Sequence, residues 1–188
     1  MEQTKAQRIK VSMNHGLVIG LILVVFAFLI SIVKLGSGNL LPLLHWAVII
    51  AAVYYSIKTW RDNYNEGYIS YGQALGFGFR TMFFASVIYG FYSMLYMTWI
   101  NPGSVNEALT AVEEGYFQLG FTDEQIEQYM EIAQKMQTPG WQMFTTILGT
   151  TFTGFIISLI VSLFVRKDED PFRSAMSGIK EEDTVDNQ

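Results

Sequence analysis

The chain contains no cysteine. Disulfide staples, thiolate metal sites and cysteine nucleophiles are therefore excluded together. Proline is scarce: Pro42, Pro102, Pro139 and Pro171 all fall near the ends of apolar runs or outside them, so no run carries a central proline kink. Histidine occurs only at positions 15 and 45. No zincin HExxH, nucleophile-elbow GxSxG or phosphate-binding loop appears, nor an aspartate pair within an apolar run. The ligand spacing of a calcium-binding EF-hand is also missing. These absences argue against an enzyme and call for no cofactor and no metal.

What is present is apolar. Four stretches, roughly 16–35, 40–57, 77–100 and 141–165, contain neither Asp nor Glu. Each is long enough to cross a hydrocarbon core of about 30 Å at about 1.5 Å per residue. Only helices satisfy their own backbone at that length in lipid. The expected fold is an all-α membrane protein of four transmembrane helices. Mean hydropathy is only +0.26, because polar residues are gathered at 101–140 and after Val165. The expected organisation is one domain over 1–167, followed by a disordered acidic cytoplasmic tail at 168–188. Lys5, Arg8 and Lys10 resemble the charged start of a signal peptide. The run after them is too long, and it ends at Lys34 without a small-residue cleavage site, so a retained helix is expected.

The basic residues are sorted by side. Lys5, Arg8, Lys10, Lys58, Arg61, Arg166 and Lys167 flank one side of the runs, against Lys34 and Lys135 on the other. The positive-inside rule places both termini in the cytoplasm and 101–140 outside. Trp99 and Trp141 on the outer side and Trp60 on the inner side suit an interfacial belt.

The outer segment 101–140 reads as a short amphipathic helical pair between helices 3 and 4. Ser104 with Glu107, and Thr122 with Gln125, have capping-box spacing. Phe121 and Ile126 fit a hydrophobic staple, and Gly120 is a natural stop. The segment has seven acids (Glu107, Glu113, Glu114, Asp123, Glu124, Glu127, Glu131) and one base, Lys135. The expected arrangement is a solvated acidic face over an apolar face laid on the bundle or the headgroups. Glu124, Glu127 and Glu131 are the candidates for contact with a partner.

Arg80 is the one charge placed well inside a span. Side chains tilt toward a helix's N-terminus, so this one is expected to snorkel to the inner interface. The competing reading is an anion site within the bundle, with Asp62 and Glu66 the nearest acids in sequence. Ser31 and His45 fall at similar depth across the turn 36–39, where an interhelical bond is more natural than nucleophilic chemistry. Small residues mark packing seams: Gly16 and Gly20, the cluster Gly72, Gly76 and Gly78, and a four-residue step through Thr146, Thr150, Gly154, Ser158 and Ser162.

The stretches Tyr68-Ile69-Ser70-Tyr71-Gly72-Gln73-Ala74-Leu75 and Gly120-Phe121-Thr122-Asp123-Glu124-Gln125-Ile126-Glu127-Gln128 resemble a bacterial family known as domain of unknown function 4199. The likeness runs over about 10–167. It implies a four-span inner-membrane protein of the kind found in Bacteroidota. Gln73, with Arg80 a candidate functional or partner-binding residue, stands where an acid is common in the family, which argues against a proton relay there. The resemblance brings no catalytic residues. The function expected is a non-enzymatic structural or accessory subunit binding another membrane protein. The alternative is a small transporter or channel, though the membrane-embedded glutamate of small multidrug transporters is missing. Partners are the lipid bilayer and a membrane protein or a second copy of the chain, with no nucleic acid.

Overall fold

A computed structural model describes residues 2–33 and 40–167. The turn at 36–39 and the tail at 168–188 lie outside the described residues. Six helices follow in order: α1 (Glu2–Val33), α2 (Leu40–Tyr64), α3 (Tyr71–Leu95), α4 (Ser104–Gln118), α5 (Asp123–Met136) and α6 (Pro139–Val165). A π-helical turn, Tyr96–Ile100, extends α3. Among the described residues there is no strand beyond one isolated bridge. Four helices are long and apolar enough to cross a membrane: Ala6–Ser31, Leu43–Tyr64, Tyr71–Ile100 and Pro139–Val165.

Helix starts differ from the apolar runs. α1 begins at Glu2 rather than near residue 16, because residues 2–15 contain no breaker and are rich in helix formers. Val11 and Ser12 in this extension are buried. α2 continues seven residues past Ile57, through Tyr64. α3 begins at Tyr71, six residues before Phe77, where Ser70 and Gln73 form a capping box.

α3 is the central helix, packed on α1 along one face and on α6 along another. Glycines set both seams. A Cβ at Gly16 would lie 2.5 Å from Phe84 Cβ and 2.7 Å from the Thr81 carbonyl. One at Gly20 would lie 2.9 Å from Ile88 Cβ. Against α6, Gly78 faces Ser158, Gly90 faces Ile147, and Gly154 faces Met82. Hydroxyl pairs line the same seam: Ser86 Oγ and Thr151 Oγ1 are 2.8 Å apart, and Ser93 Oγ donates to Thr146 Oγ1 at 3.3 Å. The small-residue step in α6 is thus a packed seam. In the Gly72–Gly78 cluster only Gly78 is in close contact; Gly72 meets nothing within 4 Å.

The two ends of the bundle differ. At the end holding the α2–α3 turn, Ile69 and Lys167 exchange backbone hydrogen bonds of 2.9 and 3.0 Å, tying the start of α3 to the end of α6. Arg61 Nη1 donates to the Val165 carbonyl at 3.1 Å. Trp60 is not an interfacial ring here. It is 3% exposed and stacks on Phe77 at 5.0 Å, because α2 carries it inward past the end of its apolar run. Trp99 and Trp141, at the other end, are exposed.

α4 and α5 form a helical hairpin at that other end. Gly120 takes φ +82°. The amides of Gly120 and Phe121 donate to the carbonyls of Phe117 and Tyr116, the paired bonds of a glycine-terminated helix. Thr122 and Gln125 form the expected capping box, with Gln125 Oε1 3.1 Å from the Thr122 amide. Ser104 does not cap. α4 starts at the Asn101–Gly103 turn, so Ser104 is already helical and its hydroxyl donates to the Asn101 carbonyl at 2.7 Å. The Phe121 ring packs on Tyr116 at 5.4 Å and Tyr129 at 5.6 Å, and Ile126 is buried.

Candidate functional site

Two regions gather chemistry-bearing side chains, one at each end of the bundle. The first is a cleft of about 500 Å³ at the hairpin end, where α1, α2, α3, the π-helical turn, α4 and α6 meet. Tyr89 and Tyr92 on α3 and Tyr96 at the start of the π-helical turn recur at helical spacing; the first two rings stack with centroids 6.1 Å apart, and the Tyr92 and Tyr96 rings are tilted at 5.9 Å. Ser31, His45, Ser93, Gln137 and Gln142 add polar groups to a lining that also includes Ala27, Ile30, Met97 and Val105 and contains no Asp, Glu, Lys or Arg. The π-helical turn widens the backbone where Tyr96 and Met97 meet the cleft. Such turns are frequent at functional sites.

Ser31 and His45 both line this cleft, in keeping with their similar depth. They do not form a nucleophile and its base. Ser31 Oγ donates to the Phe28 carbonyl of its own helix at 2.8 Å, and the His45 ring stacks on Phe26 at 5.8 Å. The Tyr92 hydroxyl is buried close to Ser31. What the cleft offers is hydrogen bonding over aromatic rings. The sequence signal for it was the tyrosine spacing on α3, which reads equally well as ordinary packing.

The second region is the N-terminal half of the α1–α3 seam. Arg80 is half-buried, and its Nη2 is 3.8 Å from the point where a Gly76 Cβ would stand. The guanidinium therefore lies back along α3 toward its N-terminus, as the tilt of helical side chains dictates. Neither acid nearest in sequence pairs with it. Asp62 takes Arg61 at 2.7 Å, and Glu66 sits exposed in the α2–α3 turn at φ 53°. The charged neighbour of Arg80 is a second cation, Arg8 of α1. Gln73, two turns before Arg80 on α3, is occupied locally. Its Oε1 accepts from the Ser70 amide at 3.4 Å and from Asn65 Nδ2 at 3.3 Å.

Glu124, Glu127 and Glu131 lie together on α5 and, with Glu113, Glu114 and Asp123, border the open groove between α4 and α5. Lys135 bridges Glu131 at 2.8 Å and holds its carboxyl below the ordinary glutamate value, chiefly by this hydrogen bond. Among the described residues, no three His, Asp or Glu side chains converge on a point that would hold a metal ion. The five candidates from the sequence thus fall in separate places: Arg80 and Gln73 near one end of α3, the three glutamates on the hairpin.

No curated protein and no solved structure matches the chain. A family model described as "Protein of unknown function (DUF4199)" matches residues 14–167, from the first turns of the α1–α3 seam to the Ile69–Lys167 bridge, and the chain belongs to that family.

Proposed function

We propose that this chain is a non-enzymatic accessory protein of the bacterial inner membrane, with both termini in the cytoplasm and the α4–α5 hairpin outside, where it engages another membrane protein. The observation that carries this reading is the hairpin itself. It closes on its own ring cluster of Tyr116, Phe121 and Tyr129. That leaves Phe117, which lines the acidic groove, 70% exposed, and Leu119 at the end of α4 74% exposed. Large apolar side chains rimmed by charge, on a segment clear of the spans, are the usual make-up of a protein contact.

The test compares the tagged full chain with Phe117→Ser/Leu119→Ser, both purified from native membranes. A stoichiometric membrane protein should accompany the parent and be lost from the variant. Equal recovery of companions by both would reject the hairpin as the contact.

A second reading, a small transporter or channel, draws on the uncharged cleft and its tyrosine ladder. It calls for solute flux in reconstituted vesicles that falls in Tyr92→Phe and Gln142→Leu.

A further inference from the structure

We propose that Arg8 and Arg80 together hold one phosphate group at the N-terminal end of the α1–α3 seam, with the Ser12 hydroxyl as an additional donor. α1 and α3 meet through Gly16 on one side and Thr81, Phe84 and Ala85 on the other. Ser12 is one turn before Gly16 and Arg8 one turn before that, so all three share the face of α1 turned to α3. Arg80 adjoins Thr81 and reaches back over Gly76. The small residue at 76 leaves that path open. Both guanidinium groups are thereby directed to the same end of the seam, and each lies in the other's field.

The polar atoms here are buried and unanswered. Arg8 Nε, Ser12 Oγ, Arg80 Nε and Thr81 Oγ1 are all inaccessible and make no hydrogen bond with any described group. Ser12 is 0% exposed. Like charges directed to one end of a seam repel, and a guanidinium N–H withdrawn from water without an acceptor is costly. An anion binding both removes the two costs at once. The described acids of this end are spent or turned to solvent, Asp62 on Arg61 and Glu66 in the turn.

Phosphate fits this arrangement. Each guanidinium presents a planar fork of N–H donors, and a phosphate offers several acceptor oxygens to two forks and a hydroxyl at once. The depth also suits. Gly76, over which the Arg80 guanidinium lies, is five residues past Tyr71, about 8 Å by helix rise. That is within reach of the headgroup layer for long cationic side chains. The phosphate has two sources of the same chemistry, a phospholipid headgroup or a free phosphate ion.

The experiment uses the full chain in a neutral detergent and reads its melting temperature in two arms. One arm adds phosphatidylglycerol, against diacylglycerol with the same tails. The other adds inorganic phosphate, against chloride at equal ionic strength. The parent should be stabilised by several degrees in one arm, and the responding arm identifies the source. Ser12→Ala should weaken the response, and Arg8→Gln/Arg80→Gln should abolish it. Arg8→Lys/Arg80→Lys keeps both charges and loses both forks. It should need at least about tenfold more ligand for half-maximal stabilisation, even if the glutamine variant does not fold. A parent indifferent in both arms overturns the proposal, as does a lysine variant that responds at the parent's concentrations.

Discussion

His15 of α1 and Ser56 of α2 are joined through Nδ1 and Oγ at 2.9 Å, the one side-chain hydrogen bond between these two helices among the described residues. Ser56 is 1% exposed, and the His15 ring also meets the edge of Phe77 on α3 at 6.0 Å. Three helices are thus registered at one imidazole. Ser56→Ala removes the hydroxyl and leaves that part-buried ring nitrogen without its partner. Interhelical bonds in membrane bundles contribute about 0.6 to 1.7 kcal/mol. The melting temperature in detergent should fall accordingly. Thr98→Ala, whose exposed hydroxyl donates to the Met94 carbonyl one turn back, should leave it nearly unchanged. A comparable loss there would deny the His15–Ser56 bond its special role.

The α3–α6 seam makes a sharper contrast. A Cβ at Gly154 would collide with Met82, whereas one at Gly149, on the same helix, meets nothing within 4 Å. Gly154→Leu should therefore cost about 1–3 kcal/mol through overpacking. Gly149→Leu should be neutral or slightly stabilising, since glycine is a poor helix former. Thermal unfolding of the two variants decides it, and a stable Gly154→Leu would mean that this face of α6 does not bear on α3.

Gly120 ends α4 in the left-handed region, at φ +82°. An alanine there incurs a steric cost of about 1–2 kcal/mol. The penalty should be confined to the hairpin, because α4 and α5 pack chiefly on each other. Hydrogen exchange of Gly120→Ala should speed up across 104–136 and stay unchanged in α3 and α6. Uniform acceleration through the bundle would show that the hairpin and the spans unfold as one unit.

The proposed orientation follows from the basic residues flanking the spans. Cysteines introduced at Asn106 and Asn63, both exposed, report on the two sides in a chain that has no cysteine of its own. A membrane-impermeant thiol reagent applied to intact cells should label position 106 and spare 63. The reverse pattern would invert the topology.

The existence of four long apolar helices was legible in the sequence, because an acid-free run of this length has few other ways to satisfy its backbone. The Gly120 stop and the Thr122–Gln125 cap were legible for a similar reason: each depends on residues adjacent in the chain. The seams were legible as stripes of small residues, but not their partners. Nothing in Gly16 or Gly20 says that they face α3 rather than α2. Helix starts were missed where polar residues continue a helix without a breaker, as in residues 2–15 of α1. Trp60 was misread because composition cannot tell a ring at the lipid interface from one stacked on Phe77.

The tertiary structure alone brought together residues distant in the chain. Tyr92, His45 and Gln142 share a cleft because α2, α3 and α6 converge at one end. Arg80 lost Asp62 as a candidate partner and gained Arg8 as a neighbour because α1 lies along α3 in parallel. Hydrophobic length and local capping are properties of neighbouring residues, so the chain carries them in its order. Which faces meet depends on where close backbone approach is sterically allowed between helices, and that is settled only when all of them are packed.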